Sequence, residues 1–175
     1  MKQHLGFQLS LSTKDRNILF PIIPKPQREY AKSPPFEPHL SIYSPVWIKL
    51  DDAIEIVEKA TKDTKKFFIQ KAGFGYQDAW HKILYIEILK TDVLSQLRQC
   101  IGTALNDIED RPFTPHISLM YKDELSAEER HNIIKDLVVP DRYEISGIEI
   151  IHPGTDDNEW RDYTKWRVVY HKDFN

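Results

Sequence analysis

A single cysteine, Cys100, has no partner for an internal disulfide, so the fold cannot depend on an oxidising compartment. A basic excess is missing too. Lys+Arg 24 against Asp+Glu 27 gives a net charge of -3, which argues against a protein that coats long nucleic acid. A small phosphorylated ligand, needing only a local site, stays open. No apolar run is long enough to span a membrane, and the polar start Met1-Lys2-Gln3-His4 leads into nothing resembling a signal peptide. A cytosolic protein with no membrane partner is therefore expected. Low-complexity segments and linkers are lacking, so residues 1–175 are expected to form a single domain with a sizeable core. Outside one repeated motif, His4, His81, His131, His152 and His171 share no ligand spacing such as His-x-x-x-His. No metal and no cofactor is expected, and most of these histidines read as solvated.

What the sequence does have is a stretch that occurs twice. Phe36-Glu37-Pro38-His39-Leu40-Ser41-Ile42 returns as Phe113-Thr114-Pro115-His116-Ile117-Ser118-Leu119. Successive side chains of a strand point to opposite faces. In each copy His and Ser would share one face, while Leu40 and Ile42, or Ile117 and Leu119, enter the core. Two strands could thus supply one site with two His/hydroxyl pairs.

Around these strands the pattern is mixed. Phe7, Leu9 and Leu11 alternate with polar residues as in a half-buried strand, whereas Thr13 to Pro35, with Pro21, Pro24 and Pro26, reads as irregular or extended. Asp51 or Asp52 would cap a helix carrying Ile54, Val57 and Ala60. Lys66 to Tyr76 reads as a strand bent at Gly73 and Gly75, and Lys82 to Lys90 as a central strand apolar on both faces. Thr91 and Asp92 open an amphipathic helix, and Ser126-x-x-Glu129 is a capping box before another. Tyr143 to Ile151 and Trp166 to His171 close the chain as strands, on either side of a polar loop, Pro153 to Tyr163. The order predicts an antiparallel α+β fold of two similar lobes.

Opening a cyclic phosphate needs water activated on one side of phosphorus and the leaving oxygen protonated on the other. Histidine suits both tasks near neutrality, and hydroxyls can hold the charged phosphoryl oxygens. The twin motifs resemble those of the two-histidine (2H) phosphoesterases. Within them, Phe36-x-Pro38-His39 and Pro115-His116-x-Ser118-Leu119-x-Tyr121 look most like the cyclic phosphodiesterases associated with tRNA splicing. That resemblance implies a LigT-like fold with pseudo-twofold antiparallel sheets and flanking helices. It also implies metal-independent opening of 2′,3′-cyclic nucleotides or ADP-ribose 1″,2″-cyclic phosphate. By the same resemblance, His39 and His116 become the acid/base pair, with His116 activating water and His39 protonating the leaving oxygen. Ser41, Ser118 and Tyr121 become phosphate ligands. Tyr121 falls out of phase with His116 on an ideal strand and reaches the site only where the strand has ended or bulged. The family's helix between first strand and first motif is not expected here, because of the prolines.

Trp160, beside Arg161 and near Trp166, is a candidate for stacking on a base, with a loop anchor as the favoured reading. The expected partner is a small nucleotide bearing a cyclic phosphate, bound by a monomer. The alternatives are RNA ends, cyclic oligonucleotide signals, or a module that binds a nucleotide without cleaving it.

Overall fold

Seven strands and four helices form among the described residues of the computed structural model, which are 1–23, 36–77, 82–106, 112–121, 125–154 and 165–175. The strands are β1 (Gln3–Leu11), β2 (His39–Ile48), β3 (Phe67–Gly75), β4 (Leu84–Ile88), β5 (His116–Met120), β6 (Arg142–His152) and β7 (Arg167–Asp173). All pairings are antiparallel, in the order β1-β2-β5-β4-β3-β6-β7, and β6 also pairs with β1. The ladder therefore returns to its first strand. Strand β6 makes this possible by its length: Arg142 to Ile145 pair with β3 while Gly147 to His152 pair with β7.

The register builds the core row by row. Ile148, Leu9, Leu40, Ile117 and Ile86 stand opposite one another on five successive strands, and each is fully buried. Helix α2 (Leu50–Ala60) buries Ala53 and Val57, and α3 (Asp92–Ala104) buries Leu94, Leu97 and Ile101. They pack on each other, with α3 against β2 and α2 against β1 and β6. Strand β4 lies between β3 and β5, the central place its two apolar faces predict.

The stretch from Thr13 differs from its reading as irregular chain. Helix α1 (Thr13–Leu19) forms before the first proline, capped by Ser12, whose hydroxyl accepts from the Asp15 amide at 3.3 Å. The Asp15 carboxylate in turn accepts from the Glu144 amide at 2.7 Å, tying α1 to β6. The prolines follow the helix and so cannot break it. Most of Pro21 to Pro35 lies outside the described residues. Lys49, and not Asp51 or Asp52, takes the N-cap position of α2; the two carboxylates fall in the first turn, where they meet the positive end of the helix dipole. Helix α4 (Ala127–Lys135) has the capping box its sequence announces, Ser126 with Glu129.

Candidate active site

The two motif strands are neighbours, and their register is set by Leu40 opposite Ile117. Both residues point into the core, so His39, Ser41, His116 and Ser118 share the opposite face. Antiparallel pairing about this point sets His39 level with Ser118, and Ser41 level with His116. The duplicated motif thus becomes a pseudo-twofold cluster at one seam of the sheet.

Each histidine is anchored in the same way. His39 Nδ1 donates to the Glu37 carbonyl at 2.8 Å, and His116 Nδ1 donates to the Thr114 carbonyl at 2.9 Å. A carbonyl only accepts, so in each neutral ring the Nδ1 carries the proton and Nε2 is the basic nitrogen. Local sequence favours the match: in each copy proline biases the residue before it, Glu37 or Thr114, towards extended backbone, and that residue's carbonyl accepts from the ring two positions on.

Their surroundings then diverge. His39 is buried beside Phe36, with ring centroids 6.4 Å apart, and Trp166, at 6.0 Å. The Tyr121 hydroxyl lies 3.4 Å from His39 Nε2, a long contact in which the phenol donates. Burial pushes the His39 imidazole below its ordinary pKa, against the hydrogen bond to Glu37 and the charge of Glu149. His116 is only half-buried and meets the Tyr85 ring edge-on at 5.2 Å. Opposite His116 on β4 stands the exposed Glu87. Lys82 Nζ donates to Thr114 Oγ1 at 2.7 Å and lies 5.9 Å from the Tyr85 ring. Partial burial lowers the Lys82 ammonium pKa; for the Tyr85 phenol, burial and the Glu87 charge act upward.

Of the residues singled out from sequence, the structure gathers His39, His116, Ser41, Ser118 and Tyr121. Ser118 is buried and Ser41 exposed. Strand β5 carries an extra residue between Ser118 and Met120, where its register against β4 shifts, and then ends at Met120, so that Tyr121 reaches His39. Trp160 lies outside the described residues. Trp166, noted from sequence only as its neighbour, joins the wall of the site, 6.1 Å from the Tyr121 ring. Other neighbours had no signal in the sequence. Gln8 and Ser10 on β1 stand opposite Ser41 and His39, and both are buried. Beyond them Glu149 stands opposite Gln8, and His171 opposite Glu149. His171 is thus engaged by carboxylates, and His4 stacks on Trp47 at 5.3 Å, so neither is merely solvated. Among the described residues no three His, Cys, Asp or Glu side chains gather as metal ligands would, and no helix is long and apolar enough to cross a membrane.

Residues 26–157 match the family model described as the 2′-5′ RNA ligase superfamily. No curated protein matches the sequence. Among solved structures, the fold is similar to E. coli LigT complexed with 3′-AMP, at 13% identity and a TM-score of 0.65, over 100% of this chain and 99% of that one. The same protein complexed with NADP+ is 14% identical with a TM-score of 0.59, over 99% of each chain. TT0787 of Thermus thermophilus is 16% identical, with a TM-score of 0.64 over 99% of this chain and 98% of that one.

Proposed function

The chain belongs to the 2′-5′ RNA ligase superfamily, and from that premise we propose that it opens a 2′,3′-cyclic nucleotide, or ADP-ribose 1″,2″-cyclic phosphate, to a phosphomonoester without a metal. The observation that supports this best is the matched anchoring of two imidazoles on one sheet face, each level with a hydroxyl from the other motif. General acid and base are then held on either side of one point.

In the proposed step, water attacks phosphorus and gives a proton to His116 Nε2. The bond from phosphorus to the ribose oxygen breaks, and that oxygen takes a proton from His39 Nε2. Half-buried His116 is open to water, whereas His39 is enclosed by Phe36, Tyr121 and Trp166, where a leaving alkoxide is shielded from competing solvent. Ser41, Ser118 and Tyr121 donate to the phosphoryl oxygens, which carry most of the charge in the transition state. Lys82 adds a positive charge beside the second motif. Proton exchange with solvent resets the two imidazoles.

A second reading, favoured by the family's description, puts the 5′-hydroxyl of an RNA end where water stands. The same two histidines would then join ends instead of hydrolysing them. Cyclic oligonucleotides, or binding without cleavage, are weaker alternatives, since two intact His-x-Ser pairs are more than binding requires.

The test is hydrolysis of 2′,3′-cyclic AMP with EDTA present, with 2′- and 3′-phosphates separated, for the wild type and His116→Ala. One regioisomer from the wild type, with a loss of about 100-fold or more in the variant, is expected. Turnover that needs an added metal, or that survives His116→Ala, would overturn the reading. Nucleotide binding with no turnover would favour the binding module.

A further inference from the structure

The face that holds the two motifs continues past β1 to a carboxylate that the proposed chemistry has not used. Glu149 on β6 stands opposite Gln8, which stands opposite Ser41. Its side chain is only 12% exposed and is held on both oxygens. Oε2 accepts from Gln8 Nε2 at 2.7 Å, and Oε1 pairs with His171 Nδ1 at 3.2 Å. His171 Nε2 lies 3.0 Å from Asp173 Oδ1. Gln8, itself buried, can give a carboxylate only its amide hydrogens, so its orientation is fixed.

We propose that Glu149, clamped between Gln8 and His171, is a positioning residue that keeps a proton available on His39 for the leaving oxygen. This rests on the reading of His39 as the general acid. Among the described residues, the titratable side chains on this face around His39 include His116 and Tyr121, from β5 and the residue that follows it, and Glu149, from β6. From β1 it faces neutral Ser10 and Gln8, and Trp166 is uncharged. Burial works against the imidazolium, and the charge of Glu149 works for it. A carboxylate withdrawn from water is weakly screened, so its field carries across the strands between. His171 sets the strength of that field. Burial acts to lower its pKa, but hydrogen bonds to Asp173 and Glu149 prevail and raise it, so that a protonated His171 partly cancels the Glu149 charge.

The test is the pH dependence of kcat/KM for 2′,3′-cyclic AMP with EDTA present. A general acid works only while protonated and a general base only while not, so the two limbs of the profile carry the pKa values of His39 and His116. Removing the negative charge in Glu149→Gln should lower the His39 pKa, and with it the limb that His39 sets, by about half to one pH unit. Glu149→Asp should restore it, and His171→Gln, which removes the positive partner, should move it higher. A uniform loss in Glu149→Gln with the limb unmoved would mean a structural role and overturn the inference. Titration of the two imidazoles by NMR assigns each limb to His39 or His116, and a shift confined to the limb of His116 would overturn it equally. A wild type without turnover would sink the proposed function itself, before any variant is compared.

Discussion

Trp166 stands half-buried with its ring 6.0 Å from His39 and 6.1 Å from Tyr121, at the edge of an aromatic wall that includes Phe36. A wall of this kind beside a phosphate site offers a face on which a base can stack, and stacking contributes about 1–3 kcal/mol per base. Stacking holds substrate and transition state alike, so it appears in KM and not in kcat. Trp166→Ala should therefore raise KM for 2′,3′-cyclic AMP by roughly 5- to 100-fold with kcat nearly unchanged. Steady-state kinetics reads both constants, and a fall confined to kcat would assign the ring to packing around His39. Tyr121→Phe should behave differently. It removes only the hydroxyl near His39 Nε2, so kcat should fall, by about tenfold for the loss of one donor. At this scale the motif residues were legible because His and Ser lie two apart on one strand. Glu149 was not. It reaches Gln8 across 141 residues, and no local spacing encodes a pairing made only by the closure of the sheet.

The seam between β2 and β5 is short, with Leu40 and Ile117 as its paired residues, and it holds both halves of the site. Its strength must come from packing beneath, where both side chains are fully buried. Ile117→Ala should cost about 2–5 kcal/mol of stability through the cavity it leaves, measurable by urea denaturation. Ile117→Val, at about 0.5–1.5 kcal/mol, should leave the fold intact. Activity lost in Ile117→Val beyond any unfolded fraction would show that the seam sets the spacing between the two histidines. Elements as such were largely legible. Alternation gave β1 and β4, the Thr91 cap and the Ser126 capping box gave the starts of α3 and α4, and the glycines of β3 mark a register shift between Lys71 and Gly73. Helix α1 was not, because nearby prolines outweighed a cap at Ser12 that serves only the residues ahead of them. The divergence of the two halves was equally hidden. Phe36 and Phe113 match in sequence, yet Phe36 packs on Tyr121 with centroids 4.3 Å apart while Phe113 lies under the guanidinium of Arg98, at 4.9 Å.

Across the whole molecule, closure of the ladder puts β1, β6 and β7 on one side of the motif strands and β4 and β3 on the other. Both sides carry charges of either sign. Glu149, His171 and Asp173 lie towards β7, while Lys82 and Glu87 lie beside the second motif. With a net charge of -3, the chain lacks the basic excess that would draw in a long polyanion, so attraction for substrate must be local. A ligand held through one phosphate releases about one counterion. Raising salt from 50 to 200 mM should then weaken binding of a cyclic mononucleotide only about threefold, whereas a surface gripping six to ten phosphates would lose roughly 1,000-fold or more. The comparison to make is kcat/KM at both salt concentrations for 2′,3′-cyclic AMP and for a ten-nucleotide RNA ending in a 2′,3′-cyclic phosphate. Similar values with a shallow salt slope for both are expected of an enzyme that reads only the terminal nucleotide. A strong preference for the oligonucleotide at low salt, lost at high salt, would mean that upstream phosphates are gripped as well. That outcome would shift the choice towards RNA ends as substrate, while leaving the two-histidine chemistry in place.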